Sequence, residues 1–199
     1  MRILISVLAA GESSRFNGEK LLCKITEKTV SEHVLDLINS LNPHESIVFM
    51  KLIVTNEKLT DFFKEKTNDE WEILENPDYK KGMSTSLIMA VAQARRQRAD
   101  SILLFLSDMP HIDIKTVNEV IHRLKNNPQA IIRPFYESTP GFPVALPKSL
   151  YDELERTDGD KGASPVIKRH GDLLIKYASK DKGCIFDIDK REDIQKQRK

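Results

Sequence analysis

The five residues Ile102-Leu103-Leu104-Phe105-Leu106 are apolar at every position. A strand with no polar side chain has to be covered on both faces. That points to a parallel sheet with helices packed above and below it. A second run, Ile3-Leu4-Ile5 followed by Val7-Leu8, has the same strand length and β-branched character. Both runs stop at residues that favour turns, Ala9-Ala10-Gly11 after the first and Asp108-Met109-Pro110 after the second.

Periodicity then alternates along the chain. Thr29 to Leu41 has helical spacing, with Ser31 expected as its N-cap and Pro43 as its stop. Ile47 to Thr55 reads as a strand, Glu57 to Lys66 as a charged, solvated helix, and Trp71 to Leu74 as a short strand. After a loop at Asn76 to Gly82, a helix is predicted from Ser84 to about Arg96, and another from Asp113 to Lys125. Strands are predicted at Ala130 to Arg133, Val144 to Leu146, Leu173 to Ala178 and Cys184 to Ile188. Helices are predicted at Lys148 to Arg156 and from Ser164 to His170, with a polar helix or tail from Lys190. This order predicts a doubly wound, Rossmann-like three-layer αβα sandwich. Its sheet should be mostly parallel, with an antiparallel addition in the C-terminal third. The 199 residues suit one domain, 1–199, without a linker or internal repeat.

Charge excludes several function classes. Thirty-one Lys+Arg face 30 Asp+Glu, so no broad basic field exists to attract nucleic acid or an anionic membrane. No apolar run is long enough for a membrane span. The chain meets its first strand after Met1-Arg2, so no signal peptide is expected. Cys23 and Cys184 form no metal-binding spacing and suit a reducing cytoplasm. His33, His44, His111, His122 and His170 are scattered, and only His111, near Asp108, invites a test.

Three stretches carry residues suited to chemistry, and each follows a predicted strand. In the first, Ala9, Ala10 and Gly11 let another molecule approach the backbone. Ser13, Ser14, Arg15 and Lys20 then add hydroxyls and fixed cations, the means of holding a polyphosphate. A basic surface turn would look the same. Glu19 stands where a P-loop needs Lys, and the G-x-G-x-x-G pattern is also absent. In the second, Asp108 ends an apolar strand, as either a metal ligand or a turn aspartate. In the third, Asp187 and Asp189 share one face of an extended segment, as either Mg²⁺ ligands or a capping pair.

The spacing from Leu8 to Lys20 resembles the L-A-[AG]-G-x-S-x-R-M-G-x-x-K signature of MobA-like nucleotidyltransferases. Gly11, Ser13, Arg15 and Lys20 match it, while Phe16 and Asn17 replace Met and Gly. Five further blocks follow in the family's order. Leu106-Ser107-Asp108-Met109-Pro110 is similar to L-x-D-x-P. Asn76-Pro77 with Gly82, Met83, Ser84, Ser86 and Leu87 resembles the nucleotide-side block. Gly141-Phe142-Pro143-Val144 resembles G-H-P-V with Phe for His. Gly159-Asp160-Lys161-Gly162-Ala163-Ser164 resembles G-D-x-G-A-R with Ser for Arg. Phe186 to Ile194 resembles D-I-D-T-P-E-D-L, with Lys190-Arg191 for Thr-Pro.

The resemblance implies a Mg²⁺-dependent enzyme with Asp108 and Asp189 as metal ligands and Asp187 beside them. It implies a nucleotide bound along Leu8, Ala9, Ala10, Gly11, Ser13, Ser14, Arg15 and Lys20, and near Asn76, Gly82, Ser84 and Ser86. Gly141, Gly159 and Asp160 would lie towards the acceptor. Arg15, Lys20 and Asp108 would carry catalysis. The Ala-Ala-Gly form resembles cytidylyl enzymes and implies CTP as donor and molybdopterin as acceptor. An apo-molybdoenzyme of the xanthine-dehydrogenase type would be the eventual partner. Transfer to a sugar phosphate or other small phosphate, use of GTP, and a non-catalytic cofactor-binding role are the alternatives.

Overall fold

The strand β1 (Arg2–Leu8) is buried from Ile3 to Leu8. Ile3, Ile5 and Val7 enter one core and Leu4 and Leu8 the other, because successive side chains leave a strand on opposite faces. The structure, a computed structural model, describes residues 1–12, 16, 19–42 and 46–195. Ser13, Ser14, Arg15, Asn17, Gly18 and Pro43 therefore lie outside the described residues.

A small hairpin with no clear signal in the sequence, β2 (Lys24–Ile25) with β3 (Lys28–Thr29), leads into α1 (Val30–Asn39). Thr29 caps this helix in place of the expected Ser31. Thr29 Oγ1 accepts from the Glu32 N–H at 3.3 Å, and Glu32 Oε2 accepts from the Thr29 N–H at 2.8 Å. This reciprocal pair satisfies two otherwise orphaned donors. Thr29→Ala is expected to lower stability by about 1 kcal/mol, measured by urea unfolding.

The chain continues through β4 (Val48–Thr55), α2 (Thr60–Lys66), β5 (Trp71–Glu75), α3 (Met83–Arg96), β6 (Ser101–Leu106) and α4 (Ile114–Asn126). The charges of α2 suggest a solvated helix, yet Phe63 and the preceding Leu59 are fully buried. The Asp113 side chain caps α4 by accepting from the Lys115 N–H at 2.8 Å.

Next come β7 (Ile131–Tyr136), β8 (Thr139–Pro140), β9 (Val144–Pro147), α5 (Tyr151–Leu154), α6 (Ser164–Arg169), β10 (Leu174–Ser179) and α7 (Arg191–Gln195). Two predicted elements differ. Ser164 is the first residue of α6, where the N-cap position is Ala163. Cys184–Ile188 is not a strand: a 3₁₀ turn spans Lys182–Ile185. Asp181 starts that turn by accepting from the Gly183 N–H at 2.7 Å, a local bond that an extended segment would forgo. The solvated tail also carries an apolar anchor, since Ile194 is 6% exposed in the core.

One sheet runs β10-β7-β9-β6-β1-β4-β5, with β8 paired to β7. Strands β6, β1, β4 and β5 are mutually parallel, whereas β9 is antiparallel to β6 and to β7. This is the doubly wound αβα sandwich with its antiparallel insertion in the C-terminal third. Because β6 lies beside β1, their carboxyl ends meet, with Leu8 opposite Leu106. No described helix is long and apolar enough to cross a membrane.

Candidate active site

A cleft of about 340 Å³ opens at those carboxyl ends. The end of β1 lines it through Leu8, Ala9, Ala10, Gly11 and Glu12, and the following turn through Lys20 and Leu21. Leu106 and Asp108 come from β6. Tyr79, Lys80 and Gly82 come from the turn before α3, Met83 and Ser86 from the start of α3, and Asp160 from the loop before α6. A Cβ built on Gly11 would meet no described atom within 4 Å, so the missing side chain leaves open space for a ligand.

Lys20 and Asp108 are 88 positions apart in sequence, yet Lys20 Nζ donates to Asp108 Oδ2 at 2.6 Å. Two buried serines fix that approach. Ser107 Oγ donates to Ser31 Oγ at 3.0 Å, and Ser31 Oγ donates to the Leu21 carbonyl at 3.2 Å. The residue before Asp108 is thereby tied to the residue after Lys20. A polar residue at the end of an otherwise apolar strand was the only sequence signal for Ser107.

The C-terminal segment brings in the other two carboxylates. Ile188, fully buried, donates its N–H to the Asp108 carbonyl at 2.9 Å. Asp189 Oδ1 then lies 3.6 Å from Lys20 Nζ. Upstream, Asp181 Oδ2 accepts from the Asp113 N–H at 2.8 Å and the Thr116 hydroxyl at 2.9 Å, pinning this segment to the start of α4. Burial by itself would lower the Lys20 pKa, but Asp108, helped by Asp189 and Asp187, outweighs it and holds the ammonium above its usual value. Burial raises the Asp187 carboxyl, and the like charges of Asp108 and Asp189 add to that.

These carboxylates suit a divalent cation. Asp108 Oδ1 is buried and meets no hydrogen-bond donor among the described residues, an unsatisfied oxygen that a cation would complete. No three His, Cys, Asp or Glu side chains among the described residues form a complete metal cage. Mg²⁺ does not require one, since it takes one or two carboxylates and fills its shell with water and phosphate oxygens.

The other expected site residues divide into cleft-lining and supporting groups. Gly82 and Ser86 line the cleft. Asn76 is 1% exposed and acts as a bracket, donating to Ser86 Oγ at 2.9 Å and Thr85 Oγ1 at 2.8 Å. Ser84 is buried off the cleft, and its hydroxyl has no partner among the described residues. Gly82 has φ +116°, and a Cβ there would lie 2.5 Å from the Gly159 carbonyl. Gly159 thus packs behind the cleft and supports the loop carrying Asp160. Gly141 does not line the cleft either: its Cβ would lie 2.5 Å from the Cys184 carbonyl. Its own carbonyl accepts from Arg133 Nε at 3.0 Å, and the Arg133 guanidinium stacks 5.5 Å from the Phe142 ring. Sequence reasoning missed Tyr79 and Lys80, which occupy positions without a distinguishing pattern, and quoted Met83 only as part of the nucleotide-side block.

His111 stands apart from the cleft. Its ring centroid lies 5.8 Å from that of Phe186, and its Nε2 is buried without a described partner. Burial, reinforced by the nearby His33 and opposed by Asp181, lowers its pKa below the ordinary 6.5. The unfolded chain then binds more protons than the folded one within that window. His111's contribution is therefore complete above pH 6.5 and is lost as pH falls through its folded value. Urea unfolding at pH 7.5 and 5.5 should show a smaller acid-induced loss in His111→Leu than in the unaltered protein. Equal losses would assign the effect elsewhere.

A doubly wound sheet whose strand ends carry an open glycine turn, a lysine and converging carboxylates defines a protein that handles nucleotide phosphates. Residues 5–173 match the MobA-like NTP transferase domain, and the chain belongs to that family. The matched family is one of NTP transferases.

The bifunctional protein GlmU of Buchnera aphidicola subsp. Schizaphis graminum is 26% identical over 145 residues, covering 70% of this chain and 29% of the relative. The chain thus spans about 30% of the length of the curated relatives it matches. Rv0371c from Mycobacterium tuberculosis H37Rv has a similar solved structure, with TM-score 0.80, 22% identity, and 100% and 98% of the two chains covered. That protein is also solved in complex with manganese, with TM-score 0.76. Molybdopterin-guanine dinucleotide biosynthesis protein A from Archaeoglobus fulgidus superposes with TM-score 0.72 at 18% identity, covering 100% and 97%. At these identities the solved structures establish the shared fold.

Proposed function

We propose that this nucleotidyltransferase transfers CMP from CTP to the phosphate of a molybdopterin-type acceptor and releases pyrophosphate, in a single unit spanning 1–199. One observation carries the reading: Lys20, Asp108 and Asp189, from three distant parts of the chain, meet beside an open glycine turn. The described cleft side chains include Lys20 and Lys80 against Glu12, Asp108 and Asp160. That balance repels a triphosphate unless a divalent cation joins it. Asp108 and Asp189 would hold Mg²⁺, with Asp187 adjacent. When bound, the ion would neutralise charge on the phosphate oxygens.

Lys20 binds the triphosphate, and Gly11 leaves room for it against the backbone. The α3 start, with Gly82 and Ser86, flanks the nucleoside. An oxygen of the acceptor phosphate attacks the α-phosphorus in line. The bond from the α-phosphorus to the bridging oxygen breaks, and pyrophosphate leaves with the electron pair. The attacking phosphate is already anionic, so no general base is required, and positioning and charge neutralisation do the work. Arg15, outside the described residues, adds a further cation to Lys20 and Lys80 in this reading.

The donor assignment rests on the Ala9-Ala10-Gly11 form. The acceptor assignment rests on the family and on the likeness to the Archaeoglobus fulgidus protein. Arg133 stacked on Phe142 favours a second reading, another small phosphate as acceptor, because Phe142 and Ser164 depart from the family pattern in that half. Incubation with each NTP, Mg²⁺ and either molybdopterin or a panel of sugar phosphates, followed by pyrophosphate release, separates the readings. Release that requires CTP and molybdopterin supports the first. Release with another acceptor supports the second, and nucleotide binding without turnover removes both.

A further inference from the structure

We propose that Lys20 is the internal counter-ion of the metal site, exchanged between the Asp108 and Asp189 carboxylates it meets here and the triphosphate when nucleotide and divalent cation bind. Divalent cation and nucleotide would therefore bind with strong positive coupling. The inference rests on the nucleotidyltransferase reading and adds how its site is filled.

The geometry is that of one place claimed by two cations. Lys20 Nζ lies 2.6 Å from Asp108 Oδ2 and 3.6 Å from Asp189 Oδ1. A divalent ion sharing those two carboxylates would sit within a few ångströms of the ammonium, since ligand distances are about 2.0–2.1 Å for Mg²⁺. Both groups are positive, and the site is partly shielded from water: the side chains of Lys20 and Asp108 are 13% and 18% exposed, and that of Asp189 is 44% exposed. Repulsion is strong at such separations away from bulk water. Lys20 also has little freedom to withdraw unaided. The Ser107–Ser31–Leu21 chain anchors its backbone next to Asp108, so only the side chain can turn. The cleft beside it, lined by Gly11, is where a triphosphate would offer new oxygens.

The exchange accounts for two features together. Between the two carboxylates, Lys20 offsets the mutual repulsion of Asp108 and Asp189 and helps keep the site assembled. Asp108 Oδ1 still meets no hydrogen-bond donor among the described residues. Metal alone must displace or crowd the ammonium and binds weakly. Nucleotide alone must draw Lys20 away from carboxylates that then repel each other, and it also binds weakly. Together each ligand removes the other's penalty, and by linkage the coupling is the same in both directions.

The test uses Mn²⁺ as a paramagnetic probe, titrated by electron spin resonance into the full chain with and without a non-hydrolysable CTP analogue. In the unaltered protein, the analogue should tighten Mn²⁺ binding by at least about tenfold. Lys20→Met, which retains the length of the side chain without its charge, should bind Mn²⁺ alone about tenfold more tightly than the unaltered protein, with the part of the coupling that Lys20 supplies lost. Lys20→Arg should restore weak binding of metal alone. Circular dichroism confirms that each variant is folded. If Lys20→Met binds Mn²⁺ alone no more tightly than the unaltered protein, the counter-ion role is overturned, whatever the variant does to turnover. If no NTP binds at all, the functional reading fails while the metal-alone titration still decides the role of Lys20.

Discussion

Asp108→Ala is expected to lower pyrophosphate release by roughly 10³-fold while leaving the fold intact. Asp108 is where the three parts of the site meet. Its Oδ2 holds Lys20, its carbonyl accepts from the Ile188 N–H, and its Oδ1, without a donor among the described residues, is the oxygen best placed for a cation. The backbone bond to Ile188 survives the substitution, so the C-terminal segment stays docked. Lys20 is not left without an anion either, because Asp189 remains 3.6 Å away. Removing one of several crowded carboxylates also relieves repulsion. The stability change should therefore stay within about 1 kcal/mol, since partly exposed ion pairs contribute little net. Circular dichroism and urea unfolding check the fold, and steady-state kinetics check the rate. A variant with unaltered turnover would remove metal-assisted chemistry at Asp108 from the account.

Gly183→Ala is expected to have the largest effect on stability. A Cβ at this position would lie 1.8 Å from the His111 carbonyl oxygen, 2.4 Å from its carbon and 2.9 Å from Asp181 Oδ1. Two of those three atoms are backbone, so no rotamer change relieves the clash. The substitution must separate the C-terminal segment from the loop after β6, with a loss of about 3 kcal/mol or more. For a chain of this size that corresponds to a melting temperature lower by roughly 6–12 °C. The same displacement would pull Asp187 and Asp189 away from Asp108, since Ile188 is their link to it. Calorimetry and Mn²⁺ titration below the transition should therefore fail together. A variant that melts normally would show that the two segments move apart without penalty.

Much of the scaffold was legible in local patterns. The apolar stretch Ile102–Leu106 predicted burial on both faces, and its side chains do divide between the two cores. The misreadings came from interactions that short windows do not contain. Ser31 looked like a cap because it precedes an apolar stripe, but its hydroxyl is needed by Leu21 and Ser107 in the interior. Cys184–Ile188 looked like a strand by composition. Asp181 turns that segment instead, and Gly183 lets it press against His111. The short hairpin of β2 and β3 has too few residues to show a period.

The site divides in the same way. Glycine, lysine and aspartate at predicted strand ends marked candidates, and the order of six blocks indicated the family. Nothing local distinguished Asn76 and Gly159, which support the cleft from behind, from Gly82 and Ser86, which line it.

By itself the sequence determined most of the longer strands and helices, which of their faces are apolar, and which residue types stand where chemistry is possible. Those properties depend on neighbours a few positions apart, within reach of strand and helix periodicity. Only the tertiary structure decided that β6 lies beside β1, that two buried serines join their ends, and that the last segment returns to Asp108. Sheet order and long-range hydrogen bonds belong to the packed chain as a whole. The contact between Lys20 and Asp108 exists only once that packing is complete.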